Sequence, residues 1–491
     1  MSSNAAAATP AQGHPPGLYM LFFAELWERF CYYGMRALLV LYMTDKALGF
    51  GYEKPRASLT YGAYCSLVYA TGIFGGYVAD RVLGYRIAII LGGLLMAIGD
   101  FCLLARGETW FYTGLATIVV GNGMFKPNIS TLVGKLYSQG DPRKDSAFTI
   151  FYMGINIGAL IAPLICGWVA KEYGWNYGFG AAGVGMMLGV VVFGLGGKLL
   201  QGQGGAPENV RSIVRNVGLV VLVSAVCVPA ATWLLKDEAR VMWLLVAIGA
   251  AVLLFLLSVA FRSERVQRDQ LLGLIFLLLA NMFFWAFFEQ AGSSLNLFAR
   301  DNVNRMIGGW EFPTAWFQSV NSAFIVALAP LFTALWLWLN RAQRNPSIPV
   351  KFSLALLQAG LGYLVLVWSK SFATAAGVTP FVFLVLTYML HTTGELCISP
   401  VGLSTMTKLA PKSIAGMVMG AWFLSISLGN YLAGVIASWT GSDGGGKEPT
   451  GMDALVQYTS VYQQGFYFLS ALGIAMLLLS RPLNKLLHGV K

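Results

Sequence analysis

The 491-residue chain predicts an all-α membrane protein: two six-helix bundles with two additional transmembrane helices between them. Three observations carry that expectation. Only 11% of the residues are charged and 57% are hydrophobic, whereas soluble domains carry about 25% charged residues. Apolar segments of the roughly 20 residues needed to cross a bilayer recur along the whole chain. The few charges inside those segments fall on every third span once one apolar pair is set aside. The 57 glycines and 14 tryptophans agree, because small residues let helices approach in lipid and Trp collects near headgroups. A net charge of +11 fits basic loops at one membrane face, and nucleic-acid binding is excluded. The six cysteines (Cys31, Cys65, Cys102, Cys166, Cys227, Cys397) lie scattered in apolar runs without metal-ligand spacing and read as small core residues.

In chain order, residues 1–17 are rich in Ala, Pro and Ser, lack the basic start of a signal peptide, and read as a disordered tail. Fourteen spans follow: 18–45, 57–79, 86–105, 110–136, 146–170, 177–198, 210–235, 240–261, 270–299, 314–340, 352–369, 377–407, 413–439 and 458–480. Gly49 to Pro55 reads as a loop after the first span, and "GSDGGGKE" (Gly441 to Glu448) as a flexible loop before the last. "GGLLMAIG" and "GAAGVGMMLG" lack the GKS or GKT of a phosphate loop and read as close helix packing. Spans 210–235 and 240–261 carry no charge in their middles. Removing them leaves six plus six, the architecture of the major facilitator transporters. The expected units are an N-terminal bundle at 18–200, a linker with the inserted pair at 201–268, a C-terminal bundle at 269–485 and a tail at 486–491.

An even number of spans puts both termini on one side. That side's loops hold the larger share of Lys and Arg, including Arg143 and Lys144, Arg262 with Arg265 and Arg268, and Arg341 with Arg344. The positive-inside rule therefore makes both termini cytoplasmic.

The buried charges carry the functional reading. An ionised side chain at a helix centre costs about 2.5–3.5 kcal/mol, so such residues are functional candidates. They are Glu25, Glu28, Arg29 and Arg36 on the first span, Lys126 on the fourth, then Glu289 and Glu395. Without the inserted pair these are spans 1, 4, 7 and 10, equivalent positions in a fold of four three-helix repeats, and all should face one central cavity. Salt bridges that merely hold helices in register are the alternative. Glu25, Arg29, Tyr32 and Arg36 form one helical stripe, with Glu28 beside it. Glu25 can pair with Arg29 one turn on. Arg36 must look to another helix, where Glu289 is the natural partner, which leaves Lys126 and Glu395 for each other. Four carboxylates against three cations leave one surplus negative charge, so one of Glu28, Glu25 and Glu289 is the expected proton coupler. His391 and Glu395 lie one turn apart in "HTTGE", but no further metal ligand accompanies them, and His391 reads as a polar residue near a helix end.

At these residues the chain resembles the proton-dependent oligopeptide transporters, the peptide branch of the major facilitator superfamily. "ELWERFCYYG" (Glu25 to Gly34) is similar to that family's ExxERFxYYG motif. "GGYVADRVLGYR", "GNGMFKPN", "FYMGINIGAL", "FWAFFEQAGSSL" and "GELCISPVG" resemble its spans 2, 4, 5, 7 and 10, and the inserted pair resembles the fourteen-span prokaryotic members. The resemblance implies roles. Glu25, Glu28 and Arg29 would couple protons. Arg29, Lys126 and Tyr32 would hold a peptide carboxylate. Glu395, Asn156 and Asn321 would hold its amino terminus. Tyr33, Tyr64, Trp285 and Trp422 would shape side-chain pockets. Arg36 with Glu289, and Lys126 with Glu395, would be gate pairs. Some relatives carry a functional histidine on span 2; this chain has none there, which places more proton duty on the glutamates.

The expected activity is proton-coupled import of di- and tripeptides by alternating access in the inner cell membrane. Protons are the coupling ion, no metal or other cofactor is expected, and the protein is expected to act as a monomer among membrane lipid. A carrier of another small anion, such as nitrate, on the same fold is the alternative; keeping both Lys126 and Glu395 favours a substrate with two charged ends. A membrane-embedded enzyme would need a catalytic set, and the sequence offers no metal-ligand motif, paired aspartates or Ser/His arrangement.

Overall fold

The computed structural model describes residues 13–138, 140–207, 210, 212–441 and 448–490. Most of the expected tail and of the Gly441 to Glu448 loop lies outside the described residues. The protein is all-α. The N-terminal bundle contains α1 (Pro16–Thr44), α2 (Lys54–Ala70), α3 (Gly72–Val78), α4 (Tyr85–Cys102), α5 (Glu108–Lys135), α6 (Lys144–Tyr173) and α7 (Trp175–Leu195). Two further helices follow, α8 (Ile213–Leu235) and α9 (Glu238–Arg262). The C-terminal bundle contains α10 (Arg265–Phe288), α11 (Ser294–Asn302), α12 (Gln318–Arg341), α13 (Ile348–Ser369), α14 (Phe381–Leu409), α15 (Ala415–Ser438) and α16 (Gly451–Leu478), and short α17 (Ser480–Leu486) ends it. A small antiparallel hairpin, β1 (Met306–Ile307) and β2 (Trp310–Glu311), joins α11 to α12.

All fourteen expected spans are helical, and among the described residues eleven are long and apolar enough on their own to cross a membrane. The other three are α1, α2–α3 and α5. Helices α1 and α5 carry charges in their middles, and α2 stops after 17 residues at Thr71. Details differ from expectation. Helix α1 begins at Pro16, because proline's fixed φ suits a first helical turn, so the expected tail is shorter. Helix α16 begins at Gly451 rather than 458. The expected continuous span 270–299 breaks at Glu289–Gly292, a 3-10 turn.

Within the bundles, α1 packs on α6 and α7, α4 on α5, α13 on α14 and α16, and α10 on α15. The halves meet mainly through α2 against α15 and α6 against α12. The first crossing needs small residues: a Cβ on Gly62 would stand 2.8 Å from the Gly434 Cα, and one on Gly434 would stand 2.7 Å from the Ser58 carbonyl oxygen. Ser427 donates to the Ser66 carbonyl (2.7 Å). In the second crossing, Trp316 Nε1 donates to the Leu164 carbonyl (3.0 Å) and Ser319 to that of Leu160 (2.6 Å). These contacts run from the middle of the helices towards the end remote from both termini. Lys54 reinforces that end, its Nζ 3.0 Å from Asp301 and 3.6 Å from Glu448. The cleft between the halves is thus sealed at one end.

Helices α8 and α9 lie outside both bundles, with only 17% of each apolar window buried. They are not confined to one half. Helix α8 lies on α5, and α9 touches α10, α2 and α15. At the start of α9, Thr60 donates to the Glu238 carboxylate (2.6 Å) and Tyr431 to the Glu238 carbonyl (3.1 Å).

Candidate substrate and proton site

Unbroken helix α1 runs its polar stripe through the middle of the molecule. Glu25, Glu28, Arg29 and Arg36 are each at most 5% exposed. Arg29 forks onto Glu28: Nη2 lies 2.5 Å from Oε1, and Nε meets Oε2. Asn122 on α5 donates to the same Glu28 oxygen (3.0 Å). The expected Glu25–Arg29 contact is present at 3.4 Å, but the primary partner is the adjacent Glu28. One Glu25 oxygen has no hydrogen-bond partner. The Nε and Nη2 edge of Arg29 is thus taken by Glu28, while the neighbouring Glu25 carboxylate holds accepting capacity in reserve.

Nearer the sealed end, Arg36 Nη2 pairs with Glu289, and its Nε donates to the Tyr61 hydroxyl. Glu289 opens the 3-10 turn after α10, so the break in that span presents the carboxylate to α1. This pair joins the two halves as the spacing suggested.

Lys126 and Glu395 do not pair in this conformation. The Lys126 ammonium lies 4.3 Å from the centroid of the Tyr69 ring. Glu395 accepts from Asn321 Nδ2 (3.0 Å), which Thr392 also engages (2.9 Å). Asn156, expected beside Asn321, instead donates to the Tyr152 carbonyl of its own helix (3.0 Å). Lys126, Tyr33 and Glu395 are half-buried, whereas Arg36 and Glu289 are buried.

The aromatic candidates separate. Tyr33 packs edge-on against Tyr32. Tyr32 is buried beneath the Arg29 guanidinium, 5.4 Å from its ring centroid, and its hydroxyl has no partner. Trp285 is held by Asn281 (3.0 Å), which also donates to Ser425 (2.8 Å). Trp422 lies against Gly402, where a Cβ would strike its ring. Tyr64 is 0% exposed and packs in the N-terminal core, so the expectation that it shapes a side-chain pocket is not met in this conformation. His391 is a mid-helix residue, not a terminal one; it is buried against Tyr363 with neither ring nitrogen hydrogen-bonded.

Sequence reasoning missed Tyr61, Tyr69 and Asn122. Asn122 stands one turn before Lys126 in "GNGMFKPN", the signal that could have found it. It also missed Asp100, a carboxylate with 0% exposure on α4. Cys31 donates its thiol to Asp100 Oδ2 (2.8 Å), and Oδ1 has no partner. Asp100 lies in the N-terminal core near α7, where Gly183 approaches its Cβ.

The POT family model matches residues 86–445. The chain is 39% identical over 426 residues to the uncharacterized transporter YclF of Bacillus subtilis (strain 168), covering 84% of this chain and 85% of that protein. It is 38% identical over 474 residues to the peptide transporter YePEPT of Yersinia enterocolitica, covering 90% and 91%. A crystal structure of a mutant peptide transporter POT in complex with alafosfalin superposes with a TM-score of 0.85 at 35% identity, over 98% of this chain and 97% of that one.

Proposed function

The chain belongs to the POT family, and we propose that it is a proton-coupled symporter importing di- and tripeptides by alternating access. The observation that carries the reading is a division of charge between the halves. Arg29 and Lys126 belong to the N-terminal half, and Glu395, oriented by Asn321, belongs to the C-terminal half. A short peptide is a zwitterion whose charged ends are joined by backbone of nearly constant length. Two fixed poles recognise every such peptide whatever its side chains, and Arg grips a carboxylate through two parallel hydrogen bonds. Tyr33, Trp285 and Trp422 supply apolar walls, and Tyr32 supplies an uncommitted hydroxyl. A nitrate-sized anion would leave Glu395 unanswered.

Coupling follows from the competition for Arg29. With Glu28 ionised, its carboxylate occupies the guanidinium fork and the peptide carboxylate cannot. A proton on Glu28 frees the fork for substrate, and one on Glu25 removes the second, weaker claim on the same guanidinium. Losing that proton on the cytoplasmic side returns Arg29 to Glu28 and ejects the peptide. Protonation of Glu289 would likewise release Arg36 and unseal the remote end. Units 18–200 and 269–485 are the moving halves, 201–268 links them, and a monomer contains the whole path. Both termini lie in the cytoplasm, and the protein resides in the inner membrane. Its multi-pass character is plain from its helices.

Competition in proteoliposomes tests the two-pole reading. Labelled dialanine uptake should be blocked by unlabelled dialanine, weakly by N-acetyl-dialanine or dialanine amide, and not by nitrate. Equal competition by the N-acetylated peptide would remove Glu395 from the site, and competition by nitrate would favour the anion carrier.

A further inference from the structure

Between α8 and the outer surface of the N-terminal bundle lies a cavity of about 490 Å³, lined by α4, α5 and α8 through residues such as Leu94, Leu95, Met124, Val221 and Ala225. A second cavity of about 290 Å³ shares Val228 and Pro229 with it and ends at Thr113, Trp233 and Lys236. Together they form one groove along α8; on α5 its Met124 stands two residues from both Asn122 and Lys126, about 200° round the helix, and so faces away from the charged site.

The groove's chemistry is more apolar than its residue names suggest. Three of its hydroxyls are spent on their own helices: Ser224 on the Val220 carbonyl (2.8 Å), Thr117 on Thr113 (2.7 Å) and Thr232 on Val228 (2.9 Å). The Thr113 hydroxyl, in the second cavity towards the mouth, makes no hydrogen bond among the described residues, so it is the inner part of the groove that asks for no polar ligand. The mouth differs. Arg240 is committed to Asp237 (3.2 Å), to the Trp233 carbonyl (2.7 Å) and to the face of the Trp233 ring. Lys236 is exposed and makes no ion pair among the described residues. An apolar channel therefore ends at an uncommitted cation beside a tryptophan, at the level where Trp and Lys meet headgroups.

Length agrees with one occupant. Val220 and Lys236 bound the groove on α8, about 24 Å apart at 1.5 Å per residue. One leaflet contributes about half of a hydrocarbon core roughly 30 Å thick. An acyl chain entering at Lys236 therefore fits entirely within the groove. We propose that this groove binds one anionic phospholipid, its chain along α8 between α4 and α5 and its phosphate on Lys236. The lipid would fill the gap between the inserted helices and the bundle that α8 only partly covers.

The test is native mass spectrometry of the full-length protein in mild detergent, titrated with dioleoylphosphatidylglycerol or dioleoylphosphatidylcholine. One phosphatidylglycerol should remain bound per chain, preferred about fivefold, the effect of a single lysine near an anionic headgroup. Lys236→Gln should abolish the preference while leaving phosphatidylcholine binding unchanged. Ala225→Phe, which fills the groove, should remove both lipids. Lys236 is exposed, so its variant reads the headgroup even if Ala225→Phe fails to fold. Wild-type lipid preference retained in Lys236→Gln, or a dimer that excludes lipid from wild-type protein, would overturn the proposal.

Discussion

At Arg29 a single guanidinium has two claimants, the chain's own Glu28 and the carboxylate of the proposed peptide substrate. Arg36 and Glu289 differ in kind: their pair spans the halves and is buried on both sides. Removing one partner of a buried pair strands a charge, at a cost of about 3–5 kcal/mol. Glu289→Gln should therefore lower thermal stability in detergent, and Arg36→Gln added to it should restore most of the loss. Additive losses would show that the pair is not a unit in the ground state. Asp100 offers the contrasting case, a buried carboxylate with a thiol donor and no cation contact. Asp100→Asn keeps its shape and leaves no charge orphaned, so uptake should stay near wild type and stability should change by about 1 kcal/mol or less. Loss of proton-driven uptake in that variant would move Asp100 into the coupling machinery. Spacing alone was enough to read the Glu25–Arg29 contact, because helix periodicity fixes which residues share a face, and the Arg36–Glu289 pair was legible because Arg36 had no acidic partner left on its own helix. Glu28's hold on Arg29 escaped because adjacent residues do not face each other on a helix, and only the long Arg side chain lets the fork fold back. The Lys126–Glu395 pairing was inferred by elimination, and elimination does not know which conformation the molecule is in.

At the scale of elements, the seal rests on backbone proximity at the α2–α15 crossing. Gly62 and Gly434 allow it, and any side chain at either place drives the helices apart. Gly62→Leu should hinder closure of the remote end and so slow dialanine uptake by at least tenfold, while binding to solubilised protein is largely kept. Unchanged uptake would mean that the crossing is not part of the cycle. Helix boundaries were readable to within a few residues where polar loops flanked apolar runs, as for α4 and α9. The break at Glu289 falls on "EQAGSS", a polar, Gly-containing stretch whose break signal the span count passed over because long apolar runs flank it, and there the backbone switches to a 3-10 turn that places the carboxylate. The inserted pair, uncharged in its middle, lies mostly exposed outside the bundles. Its contact with both α2 and α15 through Glu238 could not be inferred from two uncharged helix middles.

The whole molecule is two helical halves closed over one end of a charged cleft, and its class was legible because lipid permits so few architectures. Composition pointed to the membrane, span counting to six plus two plus six, and charge spacing to the cavity. What stayed hidden was which end is shut, because a sequence encodes every state of the cycle and the structure displays one. Import of a zwitterion with a proton moves net positive charge inward. An inside-negative potential of 100 mV is worth about 2.3 kcal/mol per charge, so it should raise dialanine accumulation by up to about fiftyfold without any pH difference; accumulation indifferent to voltage would argue against net charge movement. Whether proton binding at the Glu28–Arg29 pair licenses transport is decided by Glu28→Gln in proteoliposomes. Counterflow of labelled dialanine against unlabelled dialanine should persist, because exchange needs no net proton movement, while accumulation driven by an inward proton gradient should disappear. Gradient-driven accumulation at the wild-type level in Glu28→Gln would contradict a coupling role for this pair.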